Sequence, residues 1–360
     1  MRRSGVVGRA RLGTSMSFVG PFLLVYAAFM IYPLIQAVRM SFYDWDLLGS
    51  ARDWVGAENY VRMLWGTHME WGPDHLWQLR LVILAAAAIV AWYAVRSRSQ
   101  SRSRLQWCGV AALLVLAVVL GFHPGPDGMW YDPLFWLSLK HTLQFTLMST
   151  PLIIGLGLAM ALAVNTTKHR GGKFYQVVFF VPYVLPISVA TLVWTNVLSP
   201  GRGILSAFLE KFGVEPISWL GDQRYAMAAI VVMTAWWTVG FNLVMFSAGL
   251  QDIDPTFYEA AMLDGAGAWQ RFLHVTLPGL RHVMALVLVM QVIAGFVVFG
   301  QVNIMTSGGP GNATRTLVLH LYETGFTQKH LGAGAAMALF LFAMMFVISL
   351  VQLRLMREEK

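Results

Sequence analysis

The sequence predicts an all-α integral membrane protein with eight transmembrane helices, and three observations carry that reading. Hydrophobic residues make up 57% of the chain and charged ones 12%, against roughly 45–50% and about 25% in a soluble domain. Apolar runs near the roughly 20 residues that cross a bilayer recur along its length. Lysine and arginine collect in alternate connections, as they do on the cytoplasmic side of membrane helices.

The runs lie near residues 17–38, 79–95, 107–122, 139–164, 174–198, 225–250, 280–305 and 331–353, the third being the shortest. Arg2, Arg3, Arg9 and Arg11 precede the first, yet it is too long for a signal peptide and lacks a clear small-residue cleavage site. It reads as a retained helix. In the fifth run, Pro182 and Pro186 each remove a backbone hydrogen bond and are expected to bend the helix.

Placing the N-terminus in the cytoplasm sorts the loops. One face then gathers the N-terminal arginines, Arg96 to Arg104, Lys168 to Lys173, Arg271 and Arg281, and Arg354 to Lys360, which is 16 of the 26 basic residues. The other face is rich in acids and aromatics, among them Asp44, Trp45, Asp53, Trp54, Glu70, Trp71, Asp127 and Trp130. Both termini are therefore expected in the cytoplasm. Basic loops beside an anionic inner leaflet account for the net charge of +8, so no nucleic-acid partner is expected. The single Cys108 lies in an apolar run and supports neither an internal disulfide nor a cysteine metal site. The histidines show no H-E-x-x-H spacing, and no metal site is expected.

Between the sixth and seventh runs, "YEAAMLDGAGAWQRFLHVTLPG" (258–279) is ordered, polar and rich in small residues. Asp254-Pro255 is a good helix start, an N-cap followed by a proline at the first helical position. Gly265 and Gly267 end that helix near Asp264, and a second is expected from Ala268 to about Val275, stopping before Pro278. Ala260 and Ala261 permit close approach of another backbone, while Phe257, Leu263 and Phe272 offer apolar anchors and Glu259 a negative charge. Two readings stay open on these grounds: a docking surface for a partner protein, or an amphipathic hairpin resting on the membrane.

The spacing of Glu259, Ala260, Ala261, Gly265, Leu277 and Pro278 resembles the EAA signature of the membrane subunits of ATP-binding-cassette importers, with Val275 where isoleucine is usual. The resemblance implies that the segment is a coupling helix seated in a cytoplasmic ATPase, with Glu259 as the polar contact, Gly265 as the turn, and Asp264 and Gly267 completing the site. The ATPase is expected on another chain, because this one has no G-x-x-x-x-G-K-[ST] loop to cradle phosphates. The glycine-rich "TSGGPGNATRT" (306–316) contains no lysine. No cofactor is therefore expected on this chain, with ATP and Mg held by the partner.

"YPLIQAVRMSFYDWDLL" (32–48), "WVGAENYVRML" (54–64), "DPLFWLSLKHTLQFTL" (132–147), "VPYVLPISVATLVWTNVLSPGRGIL" (181–205) and the stretch 306–339 are similar to the first of the two permeases of maltose-type carbohydrate importers. The resemblance implies a second homologous permease, two ATPase subunits, an external binding protein, a sugar substrate, and a bacterial or archaeal cytoplasmic membrane with its lipid. Glycerol-3-phosphate or another polar solute is the alternative cargo. A self-contained secondary transporter is the alternative class, but the core spans carry almost no acids and no clear internal repeat.

The resemblance skips about 65–131, which separates "VGAENY" from "DPLFW" and holds two apolar runs joined by "RSRSQSRSR". An insertion that leaves and returns on one side of the membrane fits a transmembrane hairpin. The chain is accordingly divided into 1–64 (tail, first helix and external segment), 65–131 (inserted hairpin) and 132–360 (six-helix importer core, completed by the first helix, with its coupling loop at 251–279). A sugar path wants neutral donors and acceptors beside aromatic faces. The candidates are Tyr183, Trp194, Asn196, Trp236, Trp237, Asn242, Gln291, Phe296, Gln301 and Asn303, against the competing reading of amides bonding between helices and tryptophans anchoring the interface.

Overall fold

In lipid every backbone polar group must find its partner inside the protein, so long apolar runs become helices. The computed structural model of the chain describes residues 12–48, 52–65, 69–74, 76–96, 100–124, 133–166 and 171–357. Arg2, Arg3, Arg9, Arg11, Arg98, Asp127, Trp130, Lys168, Arg170 and Lys360, which entered the charge assignment, lie outside those residues. Among the described residues, four helices are long and apolar enough to cross a membrane: Val19–Ser41, Leu134–Asn165, Ala226–Gln251 and Leu331–Gln352. Two bent pairs, Gly172–Val184 with Ile187–Val197 and Ala268–Gly279 with Arg281–Phe296, bring the candidates to six. The remaining two expected spans are helices with shorter apolar stretches, Trp77–Trp92 and Gly109–Val119.

The chain divides into two units, Met1–Pro133 with Lys329–Met337, and Leu134–Gln328 with Ala338–Lys360. In the first, α1 (Leu12–Tyr26) continues through a π turn at Ala27–Ile31 into α2 (Tyr32–Ser41). The wider turn accommodates Pro33, which has no N–H to give the ladder. Strands β1 (Tyr43–Trp45) and β2 (Arg52–Trp54) then pair antiparallel, Tyr43 opposite Trp54. They lead to α3 (Glu58–Trp65), whose Asn59 amide donates to the carbonyls of Ser41 and Tyr43 at 2.9 and 3.0 Å. The "VGAENY" motif is thus a clamp on the end of the first span.

Next, β3 (Met69–Trp71), α4 (Trp77–Arg96), α5 (Gln100–Val119) and β4 (Phe122–Pro124) follow in order. The two helices pack side by side, and β3 pairs antiparallel with β4 to clasp one end. Arg80 closes the clasp: its guanidinium donates to the carbonyls of Ala117, Gly72 and Pro73 at 2.8, 3.1 and 2.9 Å. Among the described residues, α4 and α5 are thus a pair of packed helices clasped at one end.

The second unit opens with α6 (Pro133–Thr166), α7 (Gly171–Val184) and α8 (Ile187–Val197). The bend expected at Pro182 and Pro186 is a full break of 96°. After α9 (Ile204–Glu210) comes α10 (Ala226–Gln251), apolar all round and 61% buried over its membrane window, against none of the window of Val19–Ser41. A helix apolar on every face belongs inside the bundle, and α10 contributes to two core clusters. One gathers Ile230 and Met233 with Phe145, Val298 and Val302, the other Leu243 and Phe246 with Ala161, Leu280 and Val287. At Gly240 the backbone of Phe179 comes so close that a Cβ would collide with its carbonyl.

The run expected as one span at 280–305 is divided. Helix α14 (Arg281–Phe296) ends, residues 297–299 turn, and α15 (Gly300–Met305) starts anew. Three polar bonds, two of them buried, then hold the chain that leads into α16 (Leu317–Tyr322): Thr314 Oγ1 donates to the Gly309 carbonyl, Thr316 Oγ1 to that of Val298, and the Leu317 N–H to Thr142 Oγ1. A π turn at Glu323–Thr327 precedes α17 (Leu331–Arg357).

Candidate functional site

The connection between α10 and α14 is a series of short helices, the first of them capped. Asp254 has φ −60° and ψ 123°, outside the helical region, and its carboxylate accepts the Thr256 N–H at 2.9 Å. That bond and its partner's hydroxyl hold the Asp254 carboxyl below its ordinary value. Helix α11 (Pro255–Leu263) follows.

Its end is a Schellman motif. The Ala266 N–H reaches the Ala261 carbonyl at 2.9 Å, the Gly265 N–H reaches that of Met262 at 3.1 Å, and Gly265 sits at φ +79°. The six-to-one and five-to-two bonds require a left-handed residue between them, which glycine adopts without a Cβ penalty. Gly267 then starts α12 (Ala268–Arg271), its N–H bonded to Gln270 Oε1 at 2.8 Å.

The expected stop before Pro278 does not occur. A π turn at Phe272–Thr276 carries the chain into α13 (Leu277–Gly279), so the proline falls in the first turn, where its missing N–H is harmless. The same device stands before Pro33. The chain bends only after Gly279, by 68°, as it enters α14.

Two contacts fix the arms of this loop. The Tyr258 hydroxyl meets Thr276 Oγ1 at 3.0 Å, with Thr276 buried. A Cβ on Gly279 would lie 2.7 Å from Ile253 Cδ1, so the entry and exit of the loop touch. Between them Glu259, Ala260, Asp264, Gly265 and Gly267 are exposed, with Ala261 half-buried. Leu263 is 89% exposed, Trp269 68% and Phe257 63%, an apolar patch around the one glutamate. Beside it opens a cavity of about 660 Å³ lined by Leu162, Tyr258, Trp269, Arg271, Phe272 and Thr276. Leu277 and Pro278 stand at the far arm, also exposed.

Tyr258, Thr276 and Trp269 were not among the sequence candidates. The aromatic–hydroxyl pair was not legible, because eighteen residues and a glycine turn separate its members. Trp269, an aromatic in an exposed short helix, was the available signal.

The path candidates separate into two groups. Tyr183 stacks on Phe241 at 5.1 Å and lies 5.7 Å from Trp237. Trp194 and Trp236 form a tilted pair at 5.7 Å and line a cavity of about 440 Å³ with Phe179 and Pro182. By contrast, Asn242, Gln291 and Phe296 are buried in this conformation. Gln291 donates to Asn242 Oδ1 at 3.2 Å, and Asn242 donates in turn to the Thr238 carbonyl at 3.1 Å. An amide in an apolar interior needs a partner, and here the partner is the neighbouring helix. Asn196 is exposed and donates to Leu192 of its own helix, while Gln301 and Asn303 are half-buried on α15. Among the described residues no group of three or more His, Cys, Asp or Glu side chains converges on a metal position.

Helices of membrane-spanning length joined by an exposed helical connection define a multi-pass membrane protein. Residues 152–358 match the family described as binding-protein-dependent transport system inner membrane component, and the chain belongs to that family. It is 33% identical over 231 residues to the sulfoquinovosyl glycerol transport system permease protein SmoG of Agrobacterium fabrum, covering 64% of this chain and 75% of that one. It is 31% identical over 296 residues to the sn-glycerol-3-phosphate transport system permease protein UgpA of Shigella flexneri, covering 73% of this chain and 98% of that one. Its fold is that of a chain in the crystal structure of a bacterial ABC transporter involved in the import of the acidic polysaccharide alginate. The TM-score is 0.66 at 18% identity, over 98% of this chain and all of the other.

Proposed function

We propose that this chain is the first of two homologous permeases in an ATP-driven importer of a di- or oligosaccharide, forming half of the path through the cytoplasmic membrane. The observation that carries the reading is the helix pair α11–α12, started by the Asp254 cap, turned at Gly265, exposed, and tied through Tyr258 to the arm that leads into α14. ATP and Mg act on two separate ATPase subunits, an external binding protein delivers the sugar, and both termini lie in the cytoplasm.

The loop 251–279 is the grip for the ATPase. Glu259 and Asp264 supply charge, Leu263 and Trp269 apolar contact, Ala260 and Ala261 room for a close backbone, and Gly265, Gly267, Leu277 and Pro278 the shape. When the ATPase dimer closes on ATP, α11 moves. Because Tyr258 holds Thr276 and Ile253 lies against Gly279, α10 and α14 are driven together, and the path alternates between the two sides of the membrane.

The aromatic pairs Tyr183–Trp237 and Trp194–Trp236 are the surfaces on which sugar C–H faces stack, and Asn196, Gln301 and Asn303 are the polar contacts. Asn242, Gln291 and Phe296 join the path only if the helices separate during transport. The pair α4–α5 crosses the membrane as a hairpin within the insert 65–131, an addition in sequence to the core formed by the first span and 132–360.

One second reading has support. UgpA is matched over 98% of its length, which favours sn-glycerol-3-phosphate as cargo. A phosphate ester wants cations in the path, and α8, α10 and α15 carry no lysine or arginine, so the neutral sugar is preferred.

Purification of a tagged chain from its native membrane in mild detergent tests the reading, with Glu259→Lys as the second sample. A second permease and an ATPase accompany the wild type, and the ATPase is depleted in the variant. A chain that emerges alone in both samples overturns the importer reading.

A further inference from the structure

Arg271 stands in the loop 251–279 as a charge without a counterpart. It ends α12, and its half-buried side chain lines the cavity of about 660 Å³ together with Leu162, Tyr258, Trp269 and Phe272. Its Nε is out of reach of solvent and meets no hydrogen-bond acceptor among the described residues. The loop carries carboxylates at Asp252, Asp254, Glu259 and Asp264, yet among the described residues none of them forms an ion pair with Arg271.

A guanidinium has five N–H donors and no acceptor of its own. Taking such a group out of water is costly unless a partner receives its hydrogen bonds. A cation held partly desolvated at the wall of an open cavity therefore marks the place of an acceptor that the loop itself does not supply.

The surroundings say what kind of acceptor fits. Trp269 and Phe272 stack at 5.4 Å to form one wall, and the exposed Trp269 and Leu263 continue the apolar surface onto α11. Exposed apolar patches rimmed by polar groups mark contacts with another protein or with the membrane. Glu259 and Asp264 are exposed beside this one, and both would be repelled by an anionic leaflet. A protein surface bearing both signs of charge suits the patch better.

We propose that Arg271 receives a carboxylate side chain of the ATPase subunit in this cavity, as a second charged contact of the grip. The proposal rests on the importer reading of the loop. Glu259 and Arg271 lie on successive short helices and have opposite signs, so the ATPase presents a cation to α11 and an acid to α12. Two such contacts fix the register, because a partner seated in reverse would place like charges together. Arginine also matches a carboxylate through two parallel bonds, which sets the angle of approach. Tyr258 and Thr276 line the same cavity, so the acid sits beside the hydroxyl pair that joins the two arms of the loop.

The test uses the assembled importer, purified from its native membrane. R271K keeps the charge and supplies a primary amine, which a carbodiimide joins to a touching carboxylate as an amide with loss of water. Mass spectrometry is expected to find the peptide carrying position 271 bonded to an aspartate or glutamate of the ATPase. When the complex is diluted in nanodiscs, R271Q is expected to release the ATPase at a concentration at least about thirtyfold higher than wild type does, with the second permease still bound. R271K recovers most of that difference. An amide from position 271 to a carboxylate of this chain or of the second permease overturns the proposal. So does a variant R271Q that loses retained anionic lipid while holding the ATPase as wild type does. A wild type that brings no ATPase with it sinks the importer reading and this proposal together, whereas an ATPase held equally by wild type and R271Q sinks this proposal alone.

Discussion

The indole N–H of Trp237 donates to the carbonyl oxygen of Leu185 at 3.2 Å. That carbonyl sits where α7 breaks: the Val189 and Ala190 N–H groups both turn to the Pro186 carbonyl instead. The break would otherwise leave an acceptor unpaired within the bundle. Trp237→Phe keeps most of the ring against Tyr183 and removes only the donor. It is expected to lower stability by about 0.5–2 kcal/mol, between the mean of membrane side-chain bonds and the penalty of an orphaned acceptor. Thermal unfolding in detergent reads the loss, and an unchanged midpoint would refute the bracing role.

A second brace lies one turn further along α10. At Gly240 an added methyl collides with the Phe179 backbone, whereas at Gly155 on α6 nothing lies within 4 Å. Backbone cannot swing aside as a side chain does, so Gly240→Ala is expected to cost at least the roughly 1–3 kcal/mol of an overpacked core. Gly155→Ala removes a helical glycine and stabilises by up to about 1 kcal/mol. Yield and melting temperature of the two variants should therefore move in opposite directions.

The buried amides Asn242 and Gln291 bond to each other across α10 and α14. A double-mutant cycle with Asn242→Ala and Gln291→Ala is expected to return a coupling of about 0.6 kcal/mol and at most about 1.7. Zero coupling in the unfolding midpoints would mean that each amide is satisfied elsewhere.

Asp254 gives the loop 251–279 a pH dependence with a definite sign. Hydrogen bonds from the Thr256 backbone and hydroxyl hold its carboxyl below the usual 3.8. A folded value depressed below the unfolded one means that the stabilisation is complete above the unfolded value and is lost as pH falls through the folded one. The difference in melting temperature between wild type and Asp254→Ala should stay constant from neutral pH down to the ordinary aspartate range and close only below it. A difference that closes near neutrality would assign the effect to another group.

Much of this architecture is legible in composition and spacing, and the misses have particular causes. Asp254, Pro255 and Gly265 announce their helix ends because capping is local chemistry. Pro278 misled because a proline is harmless in the first turn of a new helix, and only the π turn at Phe272–Thr276 makes it one. The break at 297–299 carries no proline, and the run Val297-Val298-Phe299 is as apolar as any span. Its turn is held from a distance, by the Thr316 hydroxyl on the Val298 carbonyl. Asn242 and Gln291 read as path candidates from either helix alone, and their mutual bond across α10 and α14 is not legible in the sequence.

The Tyr258–Thr276 contact separates a structural loop from a transmitting one. Both residues belong to the connection, yet Tyr258 rides on α11 and Thr276 on the arm that leads into α14. If α11 is the grip, the bond forces the two arms to move as one, so its loss should decouple ATP hydrolysis from uptake while leaving assembly intact. Tyr258→Phe removes one hydroxyl with no loss of ring packing, worth about 0.5–1.5 kcal/mol of stability, too little to unfold the loop. In proteoliposomes of the assembled importer the variant is expected to hydrolyse ATP at a rate near wild type and to move less substrate per ATP. Thr276→Val should show the same ratio, and the double variant no further decrease, since both remove one contact. A fall in hydrolysis and uptake by equal factors would instead mean that the hydroxyl pair merely holds the loop's shape, and transmission would then have to run through Ile253 and Gly279.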